Sequence, residues 1–283
     1  MTGFTLQSRS WVHKHPNPRR VIEFYGGEAI GVTPNISYDA LFDHLYDTQN
    51  TVIAMPVPIG PDHEEIAYFL LKERELILRG LGYDPERQPS CWMGHSIGGQ
   101  FITLLASLTD SKSNKITLRG EQFTGAKNTP MLMIAPFIGD FNAPAWAKPL
   151  VNILGLEFKP TMAELEAQFE NKKDLIFGKA GMLSFASDTD AGSVAACKAN
   201  PGPACDLSVP WFNRFLEGRH CKEIPGDHLK PMGIQIWGRV YRPSLDNFSE
   251  PFPRMIDTEV VSLLNELDPP EDTMLARATA KLP

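Results

Sequence analysis

Short apolar runs recur along the chain, each four to seven residues long and separated from the next by a stretch of helical character. Residues 20–25 (Arg-Val-Ile-Glu-Phe-Tyr), 51–55 (Thr-Val-Ile-Ala-Met), 90–93, 131–137 (Met-Leu-Met-Ile-Ala-Pro-Phe) and 182–186 (Met-Leu-Ser-Phe-Ala) read as strands. They lack the alternation of a half-exposed strand, so both faces of each have to be covered. Between them lie helical segments: from the Asn35–Tyr38 region to about Tyr46, over 63–79 and over 97–108. In 63–79 the apolar positions Ile66, Ala67, Phe69, Leu70, Leu76 and Ile77 sit among charges, as on an amphipathic helix. A last helix is predicted over about 257–267. Strands alternating with helices dictate an α/β fold with a mainly parallel central sheet and helices on both faces.

No internal repeat and no linker divides the sequence, so a single domain over 12–267 is expected. The segment 139–178 stands apart, being helix-prone and much longer than an ordinary connection. It contains the amphipathic stretch Thr161–Phe169 and is expected to form a small helical cap over a site. Its residues Phe141, Trp146, Leu150 and Leu154 are candidates to cover an apolar substrate chain. The polar, proline-bearing tail 268–283 is expected to fray.

With 42% hydrophobic and 22% charged residues the composition is that of an ordinary globular domain. A net charge of −7 argues against a nucleic-acid partner, which needs clustered Lys and Arg. Nothing approaches the roughly 18 consecutive apolar residues of a transmembrane segment, which leaves only peripheral contact with a membrane open. The N-terminal stretch MTGFTLQSRSWVHKHPNPRR lacks the apolar core of a secretory signal. A cytoplasmic location is expected, or a plastid one in a photosynthetic eukaryote. Cys91 lies in an apolar run and reads as a buried thiol. Cys197, Cys205 and Cys221 share a loop-rich segment without metal-ligand spacing; whether they form a disulfide stays open, with a reducing compartment the default.

Residues 91–101, Cys-Trp-Met-Gly-His-Ser-Ile-Gly-Gly-Gln-Phe, place a serine between glycines where a strand gives way to a helix. G-x-S-x-G alone is a weak signal, but a strand before it and a helix after it make it a nucleophile elbow. The serine of such an elbow takes a strained backbone conformation, and side chains two positions before or after it would clash. Gly94 and Gly98 remove those clashes, and Gly99 lets the helix approach the sheet. The first helical amide, that of Ile97, can stabilise an oxyanion. The competing reading is a glycine-rich structural turn.

A serine hydroxyl needs a base, and the base needs an orienting acid, in the chain order Ser, Asp or Glu, His. His228, in the tight turn Pro-Gly-Asp-His-Leu, is the preferred base over His220, which lies in a charged, solvated-looking stretch. His95 reads as structural. The strand 182–186 runs into Ser187-Asp188-Thr189-Asp190, making Asp188 the first choice of acid and Asp190 the alternative, the latter better suited to cap a helix near Ala191. The loop after the first long strand offers the amide of Gly27 as second oxyanion donor. Glu28 and His63 also lie near strand ends without a derivable role.

These features resemble the α/β-hydrolase superfamily. More narrowly, Val21-Ile-Glu-Phe-Tyr-Gly-Gly-Glu-Ala, Pro34-Asn-Ile-Ser-Tyr38, Gly94-His-Ser-Ile-Gly98, Glu157-Phe-Lys-Pro160, Asp188-Thr-Asp190 and Gly226-Asp-His-Leu229 are similar to an uncharacterised cyanobacterial and plant family of that superfamily, often linked to photosynthesis. The resemblance spans most of 12–265 and supports Ser96, Asp188 and His228 residue by residue. Two departures stand out: Glu28 replaces a small apolar residue, and 191–225 is longer than the family pattern.

The expected function is a serine hydrolase of the esterase, lipase or thioesterase type. It would cleave a small-molecule apolar ester or thioester through an acyl-enzyme, with no cofactor and no metal. The alternatives are a non-catalytic binding or assembly protein on the same scaffold, and an acyltransferase.

Overall fold

In the computed structural model, residues 3–27, 33–58, 60–86, 90–138, 161–242 and 249–269 are described. The mainly apolar runs become the interior strands of one sheet. In chain order the strands are β1 (Thr5–Gln7), β2 (Ser10–His13), β3 (Arg20–Tyr25), β4 (Asn50–Met55), β5 (Ser90–His95), then a separate hairpin β6 (Lys115–Leu118) and β7 (Glu121–Thr124), β8 (Met131–Ile134), β9 (Ala180–Phe185) and β10 (Cys221–Ile224). The main sheet runs β1-β2-β4-β3-β5-β8-β9-β10. From β4 to β10 neighbouring strands are parallel, and β2 joins antiparallel. Every residue of β3, β4, β8 and β9 is buried, as a sheet covered on both faces requires.

Two helical layers provide that cover. One holds α2 (Asp39–Asp47), preceded by the single turn α1 (Pro34–Ser37); the other holds α3 (His63–Gly80), α4 (Ile97–Ser107), α5 (Met162–Asn171) and α6 (Lys173–Phe177). Further along come α7 (Val194–Ala199), α8 (Ser208–Leu216), which packs on α6, a small sheet of β11 (Ile234–Ile236), β12 (Arg239–Tyr241) and β13 (Ser249–Pro251), and α9 (Met255–Leu267), which lies on α2. Phe24 meets Tyr38 and Phe42 of the first layer. From the other face, the buried Arg74 of α3 reaches Glu23 at 2.6 Å and lies over the Trp92 ring.

The strand order reverses at β3. The chain leaves β3 toward β4 and leaves β5 toward β8, so the loops after β3 and β5 diverge and open a crevice at the carboxyl ends of the strands. With a serine at the end of β5 and a helix behind it, the architecture is the α/β-hydrolase fold.

The structure refines several expectations. The helix near Asn35–Tyr46 is broken at Tyr38, whose backbone (φ −117°, ψ 21°) leaves the helical region. The strand predicted over 131–137 stops at Ile134, because Ala135 turns to φ 41° ahead of Pro136. The sheet takes in Thr5–Gln7, upstream of residue 12. Of the segment 139–178, the part 161–178 forms α5 and α6 with Leu165, Phe169, Ile176 and Phe177 buried and both helices packed on α4; 139–160 lies outside the described residues. In the tail, the Asp268 carbonyl accepts from Arg19 and Arg20, while 270–283 lies outside the described residues. Cys197 and Cys205 form a disulfide, with Cys91 buried and Cys221 half-buried as free thiols. Among the described residues no helix is long and apolar enough to cross a membrane.

Candidate active site

Ser96 stands between β5 and α4 with φ 56° and ψ −125°, a conformation that costs on the order of 1–3 kcal/mol for a non-glycine residue. Packing holds it there. A Cβ on Gly94 would lie 2.4 Å from the Gly98 carbonyl, and one on Gly98 would lie 2.0 Å from the Tyr25 carbonyl oxygen. Only glycine at both positions lets the turn sit against the end of β3. A Cβ on Gly99 would lie 2.8 Å from Pro136 Cβ, so α4 packs directly on the loop after β8. The Ser96 amide donates to the Ile134 carbonyl at 3.0 Å, and the Ser96 carbonyl accepts from Phe137 at 3.0 Å.

Asp188 and His228 arrive on loops that extend β9 and β10. These strands pair in parallel, and the ladder continues past their ends: Ala186 donates to Ile224 at 3.0 Å and Ser187 to Gly226 at 2.9 Å. Asp188 and His228, forty positions apart, are thereby set side by side. His228 Nδ1 lies 2.8 Å from Asp188 Oδ2, and His228 Nε2 lies 2.8 Å from Ser96 Oγ. A carboxylate can only accept, so Nδ1 carries the proton and Nε2 presents its lone pair to the Ser96 hydroxyl.

The other oxygen of Asp188 accepts from the amides of Asp190 and Ala191, each at 2.9 Å. Burial alone would raise the Asp188 carboxyl. The hydrogen bond and charge of His228, with those two amides, outweigh burial and hold it below the usual carboxylate range. Asp190 is exposed and contributes its amide, not its carboxylate. It caps no helix: α7 starts at Val194, and Ser193 Oγ accepts from the Ala196 amide. His220 precedes β10, at the opposite end of the strand from His228, and its Nδ1 faces Glu266 at 3.3 Å. Asp188, Asp190 and His228 offer ligand atoms within 4.8 Å of one another, but both nitrogens of His228 are engaged with Ser96 and Asp188.

The Ile97 amide is the first of α4 and has no acceptor one turn back within the helix. Gly27 lies beside Ser96, for a Cβ placed on it would be 3.3 Å from Ser96 Cβ. Its amide is directed elsewhere, donating to the Tyr38 hydroxyl at 3.2 Å. That hydroxyl also lies 2.7 Å from His95 Nδ1, and His95 Nε2 lies 2.9 Å from the His228 carbonyl oxygen. Burial, with His228 adding to it, pushes the His95 pKa down to about 3, so the ring is neutral. Sequence reasoning passes over Tyr38, because a lone Tyr in an amphipathic stretch reads as core. Its only signal is that it falls where the helix breaks. His63 is buried, with Nδ1 3.0 Å from Gln100 Nε2 and its ring edge against Phe101. Glu28, Phe141, Trp146, Leu150 and Leu154 lie outside the described residues.

Among solved structures, the chain is similar to FphF, a fluorophosphonate-binding serine hydrolase of Staphylococcus aureus: 14% identity, 77% of this chain and 85% of that one covered, TM-score 0.48. The S-formylglutathione hydrolase FrmB of Staphylococcus aureus is 12% identical, with 77% and 85% covered and a TM-score of 0.49. A thermophilic esterase from Thermogutta terrifontis is 13% identical, with 92% and 86% covered and a TM-score of 0.45. No curated protein matches the sequence. A family model does match, over residues 6–197, a span that takes in Ser96 and Asp188 and ends before His228. By that match the chain belongs to the family described as "Protein of unknown function (DUF1350)".

Proposed function

We propose that the protein is a serine hydrolase that cleaves a carboxylic ester or thioester through an acyl-enzyme, with Ser96 as nucleophile, His228 as base and Asp188 as the orienting acid. What carries this is the Ser96 hydroxyl, strained at a helix N-terminus and 2.8 Å from an imidazole whose far nitrogen is held by a buried carboxylate. In the reaction, Ser96 Oγ bonds to the acyl carbon as its proton passes to His228 Nε2. The carbonyl π electrons move onto oxygen, and the Ile97 amide stabilises that charge. Asp188 stabilises the resulting imidazolium. The tetrahedral intermediate then expels the alcohol or thiol, which takes the proton from Nε2. Water, deprotonated by the same nitrogen, attacks the acyl-enzyme and releases the acid. Phe141, Trp146, Leu150 and Leu154 supply an apolar cover for the acyl chain in this proposal.

A second reading, a non-catalytic binding protein on the hydrolase scaffold, is favoured by one observation: the Gly27 amide is spent on Tyr38, which among the described residues leaves only the Ile97 amide of the two expected oxyanion donors. A fluorophosphonate probe separates the two, because only an activated serine is labelled. The hydrolase reading expects labelling of the wild type, none of Ser96→Ala, and turnover of p-nitrophenyl esters that rises with chain length. No labelling of well-folded wild type would leave the binding-protein reading.

A further inference from the structure

We infer that Tyr38 and His95 are positioning residues that tie the start of the loop after β3 to the loop of the base, taking Ser96, His228 and Asp188 in the roles proposed above. The hydrogen bonds run in one direction only. The His228 carbonyl can accept but not donate, so the proton of the neutral His95 ring lies on Nε2. His95 Nδ1 is then bare and can only accept, so the Tyr38 hydroxyl donates to it across 2.7 Å. With its proton committed, the Tyr38 oxygen accepts from the Gly27 amide. The chain of contacts is thus Gly27 N–H to Tyr38, Tyr38 O–H to His95, and His95 Nε2–H to His228 C=O, each with a fixed sense. Tyr38 and His95 are both buried, where an unmet polar atom costs more than at the surface.

The same segments are joined a second way, independently of these side chains. Gly233, at the end of the base loop, donates to the Ser37 carbonyl at 2.8 Å and accepts from the Ala40 amide at 3.0 Å. The helix break at Tyr38 is therefore docked on the base loop from both sides, which fixes where the Tyr38 ring enters the interior. Farther along that loop, Arg254 donates to the carbonyls of Lys230, Pro231 and Met232. Residues 230–233 are thus held from outside, whereas the His228 backbone is held through His95, the covalent neighbour of the nucleophile. His95 carries no proton to or from substrate. It sets the distance between the Ser96 backbone and the His228 backbone, and Tyr38, donating to the bare Nδ1, extends the tie to Gly27.

The experiment uses Tyr38→Phe, His95→Phe and His95→Gln in the full chain, alongside wild type. It measures fluorophosphonate labelling rate, kcat and KM for p-nitrophenyl butyrate, Tm, and the downfield proton resonance of the His228 Nδ1–H bonded to Asp188. Small misplacements of reacting groups are costly, so Tyr38→Phe should lower kcat and the labelling rate by about tenfold, with KM within about twofold. His95→Phe should lose about a hundredfold. His95→Gln, which retains a donor for the His228 carbonyl, should recover part of that loss. The Nδ1–H resonance should broaden in Tyr38→Phe and His95→Phe through faster solvent exchange.

Wild-type rates together with an unchanged Nδ1–H resonance in a folded Tyr38→Phe and His95→Gln would overturn the inference while leaving the serine-hydrolase reading standing. An unlabelled, inactive wild type would instead remove that reading, and the roles assigned to the pair with it. Should His95→Phe fail to fold, Tyr38→Phe and His95→Gln still decide the matter.

Discussion

The two halves of the candidate site are held by different physics. On the serine side, Ser96 is fixed by backbone contact: Gly94, Gly98 and Gly99 approach carbonyls and a proline so closely that no side chain fits. On the other side, Asp188 and His228 ride on loops beyond β9 and β10 and are fixed by hydrogen bonds to amides, to each other and to a neighbouring imidazole. The first half tolerates almost no change of shape but little depends there on charge. The second accommodates changes of shape and is sensitive to the loss of a single donor or acceptor. An elbow is thus a steric device, and the rest of the site is a polar network.

The sharpest separation comes from Gly98→Ala. A Cβ 2.0 Å from the Tyr25 carbonyl meets backbone that cannot yield, so the expected cost exceeds about 4 kcal/mol. The variant should be largely unfolded by circular dichroism. A folded, active Gly98→Ala would show that the elbow is less tightly packed than its geometry indicates.

Ser96→Ala should leave Tm nearly unchanged and remove at least about three orders of magnitude of esterase turnover, because covalent attack is lost. Retained turnover in the purified variant would falsify the assignment of the nucleophile.

On the network side, Asp188→Asn should reduce kcat by about three to four orders of magnitude, since an amide in place of the acceptor favours the wrong imidazole tautomer. Asp190→Asn should change kcat less than about threefold, because Asp190 contributes only a backbone amide to the site. Equal effects of the two substitutions would contradict that division.

Reduction of the Cys197–Cys205 bridge tests how far the loop half depends on covalent support. The bridge closes a loop with a sequence separation of 8, for which chain entropy gives about 2–3 kcal/mol. Dithiothreitol should lower Tm by several degrees and leave the rate of Ser96 labelling little changed, since Asp188 is held by the amides of Asp190 and Ala191. A collapse of labelling on reduction would place the bridge inside the working network.

The smallest effect expected is at Asp43, on the helix whose start docks against the base loop. Burial, then the charges of Asp39 and Asp47 one turn away on either side, raise its pKa from an ordinary 3.8 to about 7. With the folded-state value above the unfolded one, protonation favours folding. The contribution of Asp43 to stability is therefore greatest below pH 3.8 and is lost as pH rises to about 7. Asp43→Asn keeps the neutral form, so it should raise Tm by a few degrees at pH 8 and change it little at pH 3.5. An equal change at both pH values would mean that the carboxylate is not under strain.

Much of the frame is legible in the sequence. The run 20–25 is β3 residue for residue, and the helices at 63–79 and 97–108 agree with α3 and α4 to within one residue at each end. Strands buried on both faces have to be mainly apolar, and few arrangements besides a covered parallel sheet produce that pattern. The elements that the pattern does not reveal are short and polar on at least one side. β6 and β7 become strands because Arg119 and Gly120 turn back in left-handed conformations; β10, Cys-Lys-Glu-Ile, becomes one because β9 offers it an edge. α8 is hidden as well, for its proline lies in the first turn, where a proline does not break a helix.

The sequence alone determined the elbow, because its strain, its glycines and its first helical amide are local sterics within about one turn of chain. It also narrowed the acid and base to two candidates each, since a strand end followed by Asp and a tight turn bearing His are local features too. Only the tertiary structure decided which of them meet. His228 reaches Ser96 across 132 positions, His95 reaches the His228 carbonyl across 133, and Tyr38 reaches His95 across 57. Those bonds form because strand order places the ends of β3, β5, β9 and β10 along one edge of the sheet. Strand order follows from packing the whole chain, and no short stretch of sequence contains it.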